Sequence, residues 1–417
     1  MAAIAAAVWR RPSRAPSVVT GCGTQESFRG CDEASVRRVA TMSVEKVLIV
    51  GGGFTGLTAG IALARRGVAV TLVERAKAWA RVGHGLTIQG NALRVFKDLG
   101  VLDDIIARGF PEEDGVTLYF ADGRTMSHLQ TPRTGGDDLP PTIGVLRPDV
   151  HEVLVSKAES LGVEIRLGQE LASFQDDGTA ATSVLTDGTT ETWDLIIIAE
   201  GIKSRTRAEL GITEDRAPTG LGIWRAVTDR KPEMHGGIAF PASDDGGAYK
   251  VGYTPVSATQ CYVFVLCRPQ RVDNGLADHQ EVRRLMENFH GEFDWIRESI
   301  DENTFMNFQQ IEWIFVEGPW HRGRVLAIGE AVHAVPPLIA QGAALCLEDA
   351  LLLAEHITED GDLQTQLTAF HDRRLPRIRG VVDASLQLAH WEQNPGTPDA
   401  DPGRVMAESL LALVAAP

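Results

Sequence analysis

No apolar run in this 417-residue chain is long enough to span a bilayer. Positive charge is scarce: 40 Lys and Arg stand against 56 Asp and Glu, a formal net charge of −16. That balance argues against nucleic acid, whose binders carry basic faces. Cysteine is scarce too. Cys22, Cys31, Cys261, Cys267 and Cys346 show no metal-ligand spacing. An odd number without a framework fits a reducing compartment, so a cytoplasmic location is expected. There is no Ser-His-Asp arrangement, so hydrolytic chemistry is set aside, and no metal is expected. Internal repeats are missing as well.

What the chain does have is glycine in two telling places. The first is Val47-Leu48-Ile49-Val50-Gly51-Gly52-Gly53-Phe54-Thr55-Gly56. Four apolar residues read as a buried parallel strand. Gly51, Gly53 and Gly56 then match G-x-G-x-x-G: one for the tight turn, one for approach to a pyrophosphate, one for helix–strand packing. Apolar Leu57, Ile61 and Leu63 to Ala64 follow at helical spacing, and Arg65-Arg66-Gly67 closes the helix. A second strand, Val68 to Val73, ends in Glu74, placed to accept both ribose hydroxyls of an adenosine. The second segment is Arg324 to Pro337, with Ile328-Gly329-Glu330-Ala331-Val332-His333 at its centre. Two such loops suggest one long cofactor, held at its phosphates by the first and nearer its reactive end by the second.

Residues 1–41 contain six Arg and three acids without sustained periodicity. They are read as a disordered extension upstream of a start at Met42, in preference to a targeting peptide. Helices are expected over Asn91–Leu99, Pro148–Leu161 and Gln280–Phe289, and from Gly342 to about Ala389. Hairpins are expected around Ala121-Asp122-Gly123-Arg124 and Asp187-Gly188. Asp194 to Ala199 returns as a buried strand. Residues 220–313 are strand-rich, with strands over Leu221–Val227, Ala248–Tyr253 and Gln260–Leu266.

This layout resembles the flavin-dependent aromatic hydroxylases of the para-hydroxybenzoate hydroxylase type. Three motifs carry the resemblance: Gly51 to Gly56 with Glu74; Glu200-Gly201-Ile202-Lys203-Ser204-Arg205-Thr206-Arg207, similar to D-G-x-x-S-x-x-R; and Gly329-Glu330-Ala331-Val332-His333 with Pro336, Gln341-Gly342 and Glu348-Asp349-Ala350. It implies an α/β fold: an FAD-binding Rossmann-like (GR2-type) domain over 42–115, 142–215 and 318–390. An inserted β-rich substrate domain would comprise 116–141 and 216–317, with a helical C-terminal part and a tail or helix over 391–417.

The resemblance also implies the chemistry. NADH or NADPH would reduce FAD as a transient co-substrate. O2 would then give a C4a-hydroperoxyflavin that hydroxylates a small aromatic or heteroaromatic molecule. A flavin oxidase or dehydrogenase, or a degenerate FAD-binding protein, is the alternative. Cofactor contacts are expected from Gly51, Gly53, Phe54, Thr55, Gly56, Glu74, Arg75, Arg147, Glu200, Gly201, Gly329, Glu330, Gln341, Gly342 and Ala343. Pro336, His84 and Arg225 are the catalytic candidates, and Trp224, Tyr253 and Phe264 the substrate candidates. His333 is expected to pack behind the loop. Both motif aspartates are glutamate here, Glu200 and Glu330, and the first glycine of the family's G-Q-G is Ala340. Neither a nucleic-acid partner nor a transmembrane segment is expected, and the chain is expected to be a monomer or homodimer.

Overall fold

A computed structural model describes residues 44–242, 247–270 and 275–417; the expectation for residues 1–41 lies outside them, as do Cys22 and Cys31. The first buried run forms strand Lys46–Val50, in a six-stranded sheet. Leu195–Ile198 and Ala69–Glu74 flank it in parallel, with Val47 opposite Leu195 and Val70. Val325–Ala327 extends one side and Glu164–Leu167 the other, also in parallel. A short antiparallel strand, His321–Arg322, closes the edge. Val47 to Ile49 and Leu195 to Ile198 have no exposed surface. A strand covered on both faces must be apolar at every position. Helix Phe54–Ala64 packs between Arg147–Ser160 and Gly342–Thr358.

A second, eight-stranded sheet draws strands from far-apart parts of the chain. Its order is His333–Ala334, Met306–Phe315, Ala217–Asp229, Gln260–Cys267, Lys250–Pro255, Gly237–Phe240, Val116–Phe120 and Thr125–Leu129. Side chains alternate between its faces. Trp224, Ala226, Val251, Tyr253, Val263 and Val265 point to one side, where they form a separate core with Phe293 and Ile296. Helices Asp278–Leu285 and Glu292–Ser299 supply that cover. The expected helix Gln280–Phe289 is thus shorter, and a second helix follows that periodicity did not single out. Phe264 pairs with Arg225 on one side and Gly252 on the other, and all three occupy the opposite face.

A three-stranded sheet, Gly85–Gln89, Thr142–Leu146 and Phe110–Glu112, covers part of that opposite face. The Thr87 and Thr254 hydroxyls meet across the join at 2.9 Å. Two glycines permit the approach: a side chain at Gly85 would strike Tyr262, and one at Gly144 the Pro255 carbonyl.

The C-terminal helical region is divided. Helix Gly342–Thr358 ends before Gly361, and helix Leu363–Gln393 restarts at Asp362, whose carboxylate accepts the Thr365 N–H at 2.9 Å. Helix Pro402–Ala412 completes the fold. Among the described residues, no helix is long and apolar enough to cross a membrane.

Candidate functional site

The first glycine loop lies at the carboxyl end of the central parallel strand, where ligands bind in open α/β sheets. Gly51 has φ +112°, and a side chain there would strike the Ala199 carbonyl. A side chain at Gly56 would strike the Gly51 carbonyl. Gly53 differs: a Cβ added there meets no protein atom within 4 Å. Its open side therefore provides space for a ligand at the start of helix Phe54–Ala64. That helix has no side-chain cap, which leaves N–H groups and a positive dipole end available to phosphate. Glu74 accepts the Gly52 N–H and the Ala76 N–H, each at 2.8 Å. A carboxylate has further lone pairs, so this bracing leaves room for a ribose hydroxyl. Arg75 is exposed beside it.

The second glycine segment touches the first. Gly329 has φ +65°, and a Cβ there would come within 2.5 Å of the Thr55 hydroxyl. Glu330 is exposed, and its carboxylate lies 3.8 Å from where a Gly201 Cβ would stand. Arg207 ties these segments, donating to the Ile202 carbonyl at 3.3 Å and the Ala331 carbonyl at 3.1 Å. Glu200 is otherwise engaged. It accepts the Ser204 hydroxyl at 2.6 Å, the Thr206 hydroxyl at 3.0 Å, and the Arg205 and Thr206 N–H groups at 3.2 Å. Its carboxylate organises the turn that presents Gly201.

Pro336 is buried and leads into a short turn, Pro337–Ile339. Ala340 then adopts φ +53°, a left-handed conformation that costs a side-chain-bearing residue roughly 1–2 kcal/mol. Gln341, Gly342 and Ala343 open the next helix, again without a side-chain cap. The Gln341 side chain turns inward and accepts from Asn91 Nδ2 at 3.0 Å. What this turn offers a cofactor is therefore backbone N–H.

Beneath the turn lies a buried polar network built around Glu348, Asp349 and His333 of the third motif. Asn91 Nδ2 also donates to Glu348 at 3.0 Å. Arg374, fully buried, bridges Asp349 at 2.7 Å and Glu348 at 3.0 Å. Arg377 adds a second contact to Glu348 at 2.7 Å. Asp349 accepts the Gly329 N–H at 3.1 Å and pairs with His333. Burial pushes the Asp349 carboxyl up, but His333 and Arg374 beside it hold it below its ordinary value. His333 is thus packed behind the glycine loop, as expected.

The face of the large sheet opposite its helix-covered core carries Arg225, Tyr262 and Phe264. Arg225 donates to Gln309 at 2.8 Å. The Tyr262 ring lies 6.0 Å from His84 and 6.1 Å from Phe264. Burial drives His84 down to about 4, against the raising effect of its bond to the Gly85 carbonyl, with Arg225 and Arg147 lowering it further. The Arg147 N–H donates to the His84 carbonyl at 3.0 Å, while its guanidinium lies over Phe54, 5.3 Å from the ring centre. His84, Arg147 and Arg225 therefore converge between the first loop and the sheet. Trp224 and Tyr253 do not join them. Strand alternation turns both into the helix-covered core, where Tyr253 bonds Glu292. Tyr262, absent from the candidates, takes the place beside Phe264; counting by twos from that residue finds it.

A parallel sheet with two glycine loops and two uncapped helix N-termini at its ligand-binding edge is the framework of a dinucleotide-binding flavoprotein. Residues 45–385 match the model of the FAD binding domain family, and the chain belongs to it, among the FAD-dependent aromatic hydroxylases. YetM of Bacillus subtilis, an FAD-dependent monooxygenase by name, is 30% identical over 86% of this chain and 96% of its own. The 2-heptyl-3-hydroxy-4(1H)-quinolone synthase of Pseudomonas aeruginosa is 28% identical over 83% of this chain and 90% of its own. Klebsiella pneumoniae HpxO, solved with FAD and uric acid, superimposes with a TM-score of 0.76 at 20% identity, covering 91% of this chain and all of that one; it has the same fold.

Proposed function

We propose that this chain is an FAD-dependent monooxygenase that uses NADH or NADPH and O2 to hydroxylate a small aromatic or heteroaromatic molecule. The observation that carries this reading is the meeting of the two glycine loops at Thr55 and Gly329, with His84 held beside Arg147 and the Tyr262 ring. Its relatives favour a monooxygenase over an oxidase or an inactive flavin binder. FAD supplies hydride acceptance and oxygen activation when bound. Gly53 and the first helix N-terminus would hold its phosphates, and the N-terminus of the Gly342 helix would supply a positive dipole end that favours negative charge on the flavin. Glu330 would accept from the ribityl hydroxyls.

Arg225 stabilises negative charge on the substrate ring oxygen. His84 uses Nδ1–H on the Gly85 carbonyl, which leaves Nε2 as an acceptor for a substrate hydroxyl. With its pKa lowered to about 4, it stays neutral at pH 7. The test is NADH and NADPH oxidation with oxygen uptake, across a panel of phenols, hydroxyquinolones and hydroxypyridine acids. Stimulation by a panel member with equimolar oxygen consumption supports the reading. A yellow protein indifferent to both nucleotides would point to an oxidase.

Glu330 gives a separate prediction. Hydrogen bonds to a charged group contribute roughly 1.5–3 kcal/mol, about ten- to a hundredfold in affinity. Glu330→Ala should weaken FAD binding by that factor, and Glu330→Asp should retain it, as read by fluorescence titration of apoprotein. Unchanged affinity in Glu330→Ala would remove Glu330 from the ribityl site.

A further inference from the structure

The dinucleotide loop has a cover that no motif accounts for. Trp79 lies in the connection between strands Ala69–Glu74 and Gly85–Gln89. A Cβ added to Gly52 would come within 2.6 Å of the Trp79 indole and 3.2 Å of the Glu74 Cβ. Gly52 occupies a free position of G-x-G-x-x-G, so the motif itself does not require glycine there. The indole does: it rests on bare backbone at the corner formed by Gly52 and Glu74.

Other side chains fix its angle. The Trp79 and His151 rings meet edge-on, with centroids 4.8 Å apart and planes at 62°. His151 Nε2 donates to the Gly52 carbonyl at 2.8 Å. A carbonyl only accepts, so Nε2 carries the hydrogen, and burial lowers the imidazole pKa, which favours the neutral form. Phe54 stands 6.5 Å from His151 on the loop side. Trp79 itself is only half-buried. A partly exposed indole beside the acid suited to an adenosine ribose is an apolar face awaiting a flat partner.

We propose that Trp79 binds the adenosine half of FAD, its indole packing on that half while His151 sets its orientation. The proposal rests on FAD being the cofactor. Base–aromatic packing has a known scale, and its loss is expected to weaken FAD binding roughly ten- to a hundredfold. The experiment compares dissociation constants for FAD and for FMN, which lacks the adenosine half, in wild type, Trp79→Ala and Trp79→Phe. Trp79→Ala should lose FAD affinity by that factor, leave FMN affinity within about threefold, and keep the wild-type unfolding midpoint as apoprotein. Trp79→Phe should retain most FAD affinity. In a second readout, FAD should quench tryptophan fluorescence more than FMN does, and Trp79→Phe should erase that difference. Full FAD affinity in Trp79→Ala, equal loss of FAD and FMN, or a quenching difference that survives in Trp79→Phe would overturn the assignment. Failure of the cofactor reading would look different: wild type itself would then bind neither flavin.

Discussion

Gly53→Val is expected to yield a folded, colourless protein. The other motif glycines cannot separate folding from binding, because side chains at Gly51 and Gly56 would strike backbone carbonyls. At Gly53 an added Cβ meets no protein atom within 4 Å, and the side chain starts into the space before helix Phe54–Ala64. That space is where phosphate must approach the N–H groups. Displacing the phosphate forfeits several charge-assisted hydrogen bonds, and a loss above about 3 kcal/mol lowers affinity more than a hundredfold. The measurement pairs visible absorbance per mole of protein with the unfolding midpoint of the apoprotein. Normal flavin content in a folded variant would refute the loop assignment.

Arg374→Ala should be the most damaging single change to stability. Arg374, Glu348 and Asp349 are fully buried, and the guanidinium reaches both acids at once. Removing one member of a buried ionic group leaves charge uncompensated and costs about 3–5 kcal/mol. Arg377 still serves Glu348, and His333 still serves Asp349, so the lower end of that range is expected. Arg374→Lys should recover only part of the loss, since a point charge cannot fork between two carboxylates. Urea unfolding of the FAD-free proteins reads the effect. A loss below about 1 kcal/mol in Arg374→Ala would show that the network is energetically neutral.

The contrast between these two sites marks what sequence makes visible. Gly51 to Gly56 could be read directly because the motif is local: strand, turn and helix start within ten residues. The parallel sheet was visible for a related reason, since strands buried on both faces need unbroken apolar runs such as Leu195 to Ile198. The large sheet was harder. Both of its faces are covered in part, so alternation shows that Trp224 and Arg225 point oppositely without saying which side faces the site. Choosing Trp224 and Tyr253 favoured aromatic character over parity, and the helix-covered core claims both. Glu200 was read by its motif position, and its bonds to the Ser204 and Thr206 hydroxyls had no separate signal. Glu348 and Asp349 stood in the third motif, but their partners Arg374, Arg377 and Asn91 had no local signal, because they come from other helices.

That network also constrains the order in which the molecule can be completed. Asn91 and Gln341 are joined although 250 positions separate them, and the central strand Lys46–Val50 needs Leu195–Ile198 as a neighbour. On the ribosome, the amino-terminal half emerges with one apolar strand edge unpaired and Asn91 without its partner. The open edge of Leu195–Ile198 is covered only when Val325–Ala327 emerges, and Asn91 finds Gln341 only when that later stretch has left the exit tunnel. Domains generally fold as units during synthesis, but here the first-made half must wait for the last. A ligand held at both Gly53 and Gly342, as proposed above, would act on the finished topology alone and shift the balance toward it by mass action. Flavin supply during synthesis should therefore govern how much of the chain survives to maturity.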